Sequence, residues 1–174
     1  KDASKESRGL NNVLAKARKI VGHFKHSSLA TAGLKKLQEQ LGLPIHKLRQ
    51  ECATRWNSTY LMTERLIEQK EAIILMASKD NSGIPELSQN EWKTLNDYMV
   101  AMAPFDEITR MMSSSKYPTV SMVIPVLNLL LTGLEDTSGL HTLKRELKAA
   151  VKDRFPNHES NPLYCMASIL DPRF

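Results

Sequence analysis

Aromatic residues and glycines are scarce in this sequence, with four Phe, four Tyr, two Trp and seven Gly among 174 residues. Sandwiches and barrels need frequent turns and many aromatic or β-branched residues, so this composition argues against them and for helices. Cysteine is scarcer still. Cys52 and Cys165 lie far apart in no disulfide-like spacing, and no apolar stretch follows the basic start as in a signal peptide, which points to a reducing compartment. Long apolar runs are missing too. The most apolar segment, Val120 to Leu134, is too short to cross a bilayer and holds Pro125 and Asn128, so no membrane span is expected. There is no Gly-rich phosphate loop and no Ser/His/Asp or Cys/His arrangement beyond chance.

What is present is enough apolar material, 41% of residues, to bury the core of one domain, or of a domain and a fragment. The net charge of +5 is unevenly spread. Residues 1–56 hold twelve Lys or Arg against four Asp or Glu, whereas the remainder holds twelve against fifteen. A basic first third fits a polyanionic partner and fits a solvated basic face equally well.

Lys1 to Gly9 is polar and without periodicity, which predicts a frayed start. Leu10, Val13, Leu14, Ala17, Ile20, Val21 and Phe24 then recur at three and four, the spacing of one helix face. Ser27-Ser28 breaks this helix and caps a second, with Leu29, Ala32, Leu34, Leu37 and Leu41 as its stripe and Gly42 and Pro44 as its stop. Ile45 to Ala53 is ambiguous. Asn57-Ser58-Thr59 offers caps for one helix from Tyr60 to Ala77, with Met62, Leu66, Ile67, Ile73 and Ile74 inward. Residues 79–85 read as loop. Ser88 and Glu91 form a capping box for a helix that Pro104 kinks without ending, through Met112 to the serines at 113–115.

Thr119 is expected to cap an apolar helix through Leu134 that runs down the middle of the bundle. After a turn at Asp136 to Gly139, a helix carries Leu140, Leu143, Leu147, Ala150, Val151 and Phe155 inward. Its Lys144, Arg145, Lys148 and Lys152 face out, and Pro156 ends it. Tyr164 to Leu170 reads as helix or strand. The fold is thus all-α, a bundle of about six to eight helices.

Three groups of residues bear on chemistry. Zinc takes about four ligands, commonly in close pairs. His23 and His26 make one pair, but His46, His141, His158, Cys52 and Cys165 are isolated, so the pair reads as the edge of an amphipathic helix and no metal ligand is assigned. Glu64, Glu68 and Glu71 share a helix stripe, yet the Glu-x-x-His partner of a carboxylate-bridged metal site is missing. They read as a solvated edge beside Arg65 and Lys70. The run from Ala53 to Tyr60 differs, because it sets a guanidinium, an indole and small capping residues at a helix start. It either docks nucleic acid or has Arg55 on a carboxylate and Trp56 in the core.

The run Thr54-Arg55-Trp56-Asn57-Ser58-Thr59-Tyr60, followed by Met62, Arg65-Leu66 and Glu68-Gln69-Lys70, resembles the hAT transposase superfamily, in particular its members with a BED-type zinc finger. Two further stretches agree in order: Val21-Gly22-His23-Phe24-Lys25-His26-Ser27, and Ile169-Leu170-Asp171-Pro172-Arg173-Phe174. The sequence departs from the pattern at Glu51-Cys52-Ala53, where a more aliphatic lead-in is expected.

The resemblance implies a helical insertion within an RNase H-like catalytic domain whose three acidic residues bind divalent metal. Residues 1–28 would be a leading helix assignable to the catalytic domain, 29–170 the insertion, and 171–174 the start of the return. The acids would lie before Lys1 and after Phe174, so no catalytic residue falls in this chain. The zinc of the BED finger and the dimerisation region would also lie outside it, and divalent metal would matter only to an active transposase.

By residue match Arg55 and Trp56 inherit the family's pair near the catalytic pocket, where the tryptophan can stack on a displaced base. The DNA-binding candidates are Arg55, Trp56 and Asn57 with Lys16, Arg18, Lys19, Lys25, Lys35 and Lys36. Thr54, Ser58, Asp171, Pro172 and Arg173 complete the motifs. The function these residues imply is that of a nuclear, transposase-derived DNA-binding or transcription-regulatory protein. An active hAT transposase and a helical protein-interaction scaffold are the alternatives.

Overall fold

The three-and-four spacing from Leu10 to Phe24 produces the first helix, α1 (Asp2–His26), and all seven of its apolar side chains are buried. The computed structural model describes residues 2–55, 57–79, 82–114, 119–135 and 139–173. Helix α1 includes the polar start that lacked periodicity. Arg8 reaches back one turn to the Ser4 carbonyl (3.2 Å) and hydroxyl (2.8 Å), and the Lys, Glu and Ala residues there are good helix formers.

Helix α2 (Ser28–Leu41) starts where the Ser27 hydroxyl accepts the Ala30 N–H at 3.1 Å, and ends where Gly42 takes the left-handed conformation (φ 66°). Its buried face is Ala30, Leu34 and Gln38, not the expected leucine stripe, and Leu29 is 83% exposed. A stripe at i, i+4, i+8 can hold a glutamine when its amide is bonded, and Gln38 is.

The helix expected from Tyr60 to Ala77 is two, α3 (Ser58–Glu68) and α4 (Lys70–Ala77), divided at Gln69 (φ −101°, ψ 13°). Gln69 is fully buried, and its amide donates to the Pro44 carbonyl outside the helix. Met62, Leu66 and Ile73 are inward, but Ile74 is 42% exposed beyond the break. Helix α5 (Gln89–Ser114) opens on the expected capping box, with Ser88 N–H to Glu91 at 2.8 Å and Glu91 N–H to the Ser88 hydroxyl at 3.3 Å. It passes through Pro104 without ending.

The chain divides into two compact units, Lys1–Met99 and Val100–Phe174, and α5 runs across the division. In the first unit α2 packs on α1 and α4, over a core that includes Ile20, Met62, Leu66, Ile73 and Leu95. The second unit holds α6 (Val123–Gly133), α7 (His141–Arg154) and α8 (Pro162–Leu170), with a 3-10 turn at Val120–Met122. Leu127, Leu130 and Val151 form its core with Phe105, Ile108, Val123 and Leu131 packed on them.

The apolar α6 is not central: Leu127 and Leu130 are buried while Leu129 is 55% exposed, because α7 and α8 cover only part of its circumference. On α7, Lys144 is buried instead of outward, as a lysine can be along its aliphatic stem, and Phe155 is 40% exposed. The ambiguous C-terminal segment is helix α8, started by the Asn161 side chain on the Leu163 N–H (3.0 Å) and by Pro162. The serine at 115 and the turn residues 136–138 lie outside the described residues. Among the described residues there are eight α-helices and no strand, and no helix is long and apolar enough to cross a membrane.

Candidate functional site

Between α2 and α3 the backbone of residues 43–55 forms no regular element; it is a strap held by side chains from neighbouring helices. The buried amides of Gln38 and Gln69 bond each other at 2.9 Å. Gln38 is the donor of that bond and also donates to the His46 carbonyl of the strap (2.8 Å), while Gln69 donates to the Pro44 carbonyl of the strap (3.0 Å) and to Glu68 (3.1 Å). Farther along, the His46 ring lies 3.1 Å from Glu68, which Arg65 also contacts at 2.9 Å, and Lys25 donates to Gln50.

Glu51, the first residue of the lead-in Glu51-Cys52-Ala53 that departs from the family pattern, closes the strap. Arg18 of α1 pairs with it and the Thr59 hydroxyl donates to it at 2.5 Å. The Arg18 guanidinium, opposed by burial and helped by the Thr59 hydroxyl, holds the Glu51 carboxyl below the usual carboxylate range. Tyr98, buried beside this pair, has its phenol pushed up, first by burial and then by the Glu51 charge.

The motif that begins at Thr54 is shaped by Ser58. Its hydroxyl accepts the Cys52 N–H at 3.0 Å and lies 2.8 and 2.7 Å from the carbonyls of Cys52 and Arg55, to which it can donate. The Arg55 N–H donates to the Cys52 carbonyl at 3.0 Å, so the backbone is a tight turn and the Arg55 side chain stands in solvent. Thr54 is exposed, with its hydroxyl 3.2 Å from the Cys52 sulfur. Asn57 precedes α3 but makes no side-chain cap bond, and Trp56 lies outside the described residues.

The basic candidates separate into engaged and exposed groups. Lys16 pairs with Glu91 at 2.6 Å, and this contact, ahead of the Ser88 backbone bond, lowers the Glu91 carboxyl. Arg18 is held by Glu51. Lys35 is only 3.9 Å from Glu39 on the helix surface, a weak contact, and Lys25 meets a neutral amide. Lys19 and Lys36 are exposed on α1 and α2.

In the second unit the Asp171-Pro172-Arg173 motif makes a clasp. Asp171 accepts Arg173 through its backbone N–H (3.1 Å), Nε (2.9 Å) and Nη2 (2.6 Å), and also accepts the Ser121 hydroxyl. The Arg173 guanidinium continues to Thr119 at 2.6 Å, while Ser168 donates to the Ser121 carbonyl at 2.9 Å. The carboxyl of Asp171 is accordingly held far down, by Arg173 first and Ser121 second. This motif fastens the end of α8 to the start of α6.

Among the described residues no three His, Cys, Asp or Glu side chains converge as metal ligands. His23 meets the edge of Phe24, and Glu64 and Glu68 face Arg49 and Arg65. The parts that sequence reasoning missed are Gln38, Gln69 and Glu51. For Gln38 and Gln69 the one legible signal is a glutamine at a position otherwise spaced as core; Glu51 has no such signal.

The ZBED1 RNase-like helical domain family matches residues 6–100, more than half of the chain and nearly all of its first unit. Over 99% of its length the chain is 36% identical to human Zinc finger BED domain-containing protein 4. It is 28% identical over 75% of its length to human Zinc finger BED domain-containing protein 6, and 26% identical over 93% to "Putative AC transposase" of Zea mays. It spans 15%, 13% and 21% of those proteins. No solved structure matches the chain.

Proposed function

The chain belongs to the ZBED1 RNase-like helical domain family, and from that premise we propose that it is the helical portion of a transposase-derived nuclear protein that binds DNA and regulates transcription. The carrying observation is the exposed Arg55 side chain on a turn that Ser58 locks at the head of α3, within the motif shared with hAT transposases. Arg55, Trp56 and Asn57 contact the DNA there, and Lys19, Lys25, Lys35 and Lys36 supply phosphate contacts. Lys16 and Arg18 contribute less, because each would first have to leave a carboxylate. Residues 29–170 form the insertion, with residues 1–28 and 171–174 leading from and to the RNase H-like domain.

The parent protein carries its zinc in a BED finger and dimerises outside this chain; the His and Cys residues described here do not fit a zinc site. Catalysis is not a property of this chain, since two-metal cleavage needs a convergent set of carboxylates. Likeness to the maize protein over 93% of the chain keeps one second reading, an active transposase, whose test is the presence of the acids in the flanking sequence.

Titration of the 174-residue chain with duplex and flap DNA tests the proposal. Affinity falls steeply with salt, and Arg55→Ala lowers the salt slope by about one unit. Trp56→Ala weakens flap binding by about 1–3 kcal/mol while the melting temperature hardly moves. A stable Trp56→Ala protein with unchanged flap affinity refutes the stacking role, a core role instead costs about 3–5 kcal/mol of stability, and salt-independent or absent DNA binding leaves the scaffold reading.

A further inference from the structure

The strap, the end of α1 and the outer side of α2 enclose a groove of about 1010 Å³ that no part of the DNA reading uses as a pocket. Its floor is apolar, made by the buried Val21, Phe24 and Leu34. Ile45 and Leu48 of the strap form the opposite wall, and Ile45 is 55% exposed although it is a large apolar residue. Around the rim stand Lys25, Lys35 and Lys47, with His26 and His46 between them.

None of the described residues lining the groove is Asp or Glu. The carboxylates nearest these groups lie outside the lining: Glu39, weakly against Lys35, and Glu68, against His46. The groove is therefore an apolar slot with a cationic lip.

Two classes of polyanion suit a cationic lip, and the floor decides between them. Unpaired nucleic acid is held by stacking its bases on exposed aromatic faces. The single aromatic in the lining, Phe24, is 4% exposed, with the His23 ring against it. A peptide segment with apolar side chains on one face and carboxylates flanking them matches both surfaces, as an amphipathic segment laid in a hydrophobic groove does.

We infer that this groove is a docking site for an acidic amphipathic peptide segment of a partner protein, whose apolar side chains meet Ile45 and Leu48 and whose carboxylates meet Lys25, Lys35 and Lys47. The strap is the adjustable wall, since it is held by side-chain bonds along its length and not by helical ladders.

The test is fluorescence anisotropy on the whole chain with a labelled synthetic peptide of about twelve residues, Leu at i, i+3, i+4 and i+7 and Asp or Glu elsewhere. A companion peptide carries Lys at every acidic position, and an oligothymidine of about ten nucleotides is titrated separately against the unaltered chain and Ile45→Ser. The acidic peptide binds, more weakly as salt rises, and the Lys peptide does not. Ile45→Ser, at an exposed position, and Lys47→Glu each weaken it by about tenfold. Ile45→Ser leaves duplex DNA affinity unchanged because it alters no charge, so the docking and DNA readings fail separately. No binding of the acidic peptide, equal binding of the Lys peptide, or an oligothymidine affinity that Ile45→Ser weakens as much as it weakens the peptide's overturns the inference.

Discussion

Glu51 shows how one carboxylate can hold a loop. Its partners Arg18 and Thr59 come from different helices, and Arg18 keeps its carboxyl below the ordinary range. A carboxyl lowered in the folded state adds stability that is complete above its unfolded value of about 4.3 and is lost as pH falls through the folded value. Melting temperature should therefore drop more steeply on acidification in the unaltered chain than in Glu51→Gln, with the curves converging in acid. At neutral pH the difference is about 0.2–1 kcal/mol, because the pair is partly exposed. Parallel curves from neutral pH to acid would show that Glu51 does not fasten the strap.

At the scale of elements, the α3–α4 break, the strap and α2 meet at the Gln38–Gln69 pair. Both side chains are essentially without exposure, and each amide also serves a strap carbonyl. Removing Gln69 leaves the buried Gln38 N–H without its acceptor and the Pro44 carbonyl without its donor, at about 1–3 kcal/mol, besides the cavity. Gln69→Ala should lower the melting temperature accordingly and raise hydrogen exchange in residues 43–55 above that in α1. Destabilisation with strap protection unchanged would mean that Gln69 only fills space. The same logic governs the Asp171 clasp, where a motif first noticed for its family likeness has a structural role on α8.

For the whole molecule, the family match at residues 6–100 and the first compact unit nearly coincide. The unit contains α1 to α4, the start of α5 and its own buried core. A fragment ending at Ala103 should thus be helical by circular dichroism and melt cooperatively. Pro104 is a favourable place to cut, since it has no N–H to donate to the Val100 carbonyl. A broad, non-cooperative melt would show that the first unit needs residues beyond Ala103 to fold.

The sequence by itself determined the all-helical class, the inward stripe of α1, the stops at Ser27 and Gly42, the capping box at Ser88 and Glu91, and the family motif at residues 54–60. These are set within a turn or two of the chain, by periodicity, capping chemistry and backbone conformation, so they can be read locally. Which apolar faces are covered could not be read that way. Leu29 and Ile74 turn out exposed and Lys144 buried because burial depends on neighbouring helices, not on the residue's own spacing. The polar fastenings were equally hidden: Gln38 and Gln69 are 31 residues apart, Arg18 and Glu51 33, Ser121 and Asp171 50. A hydrogen bond between such residues has no local signature, and only the packing of the helices brings its donor and acceptor into reach.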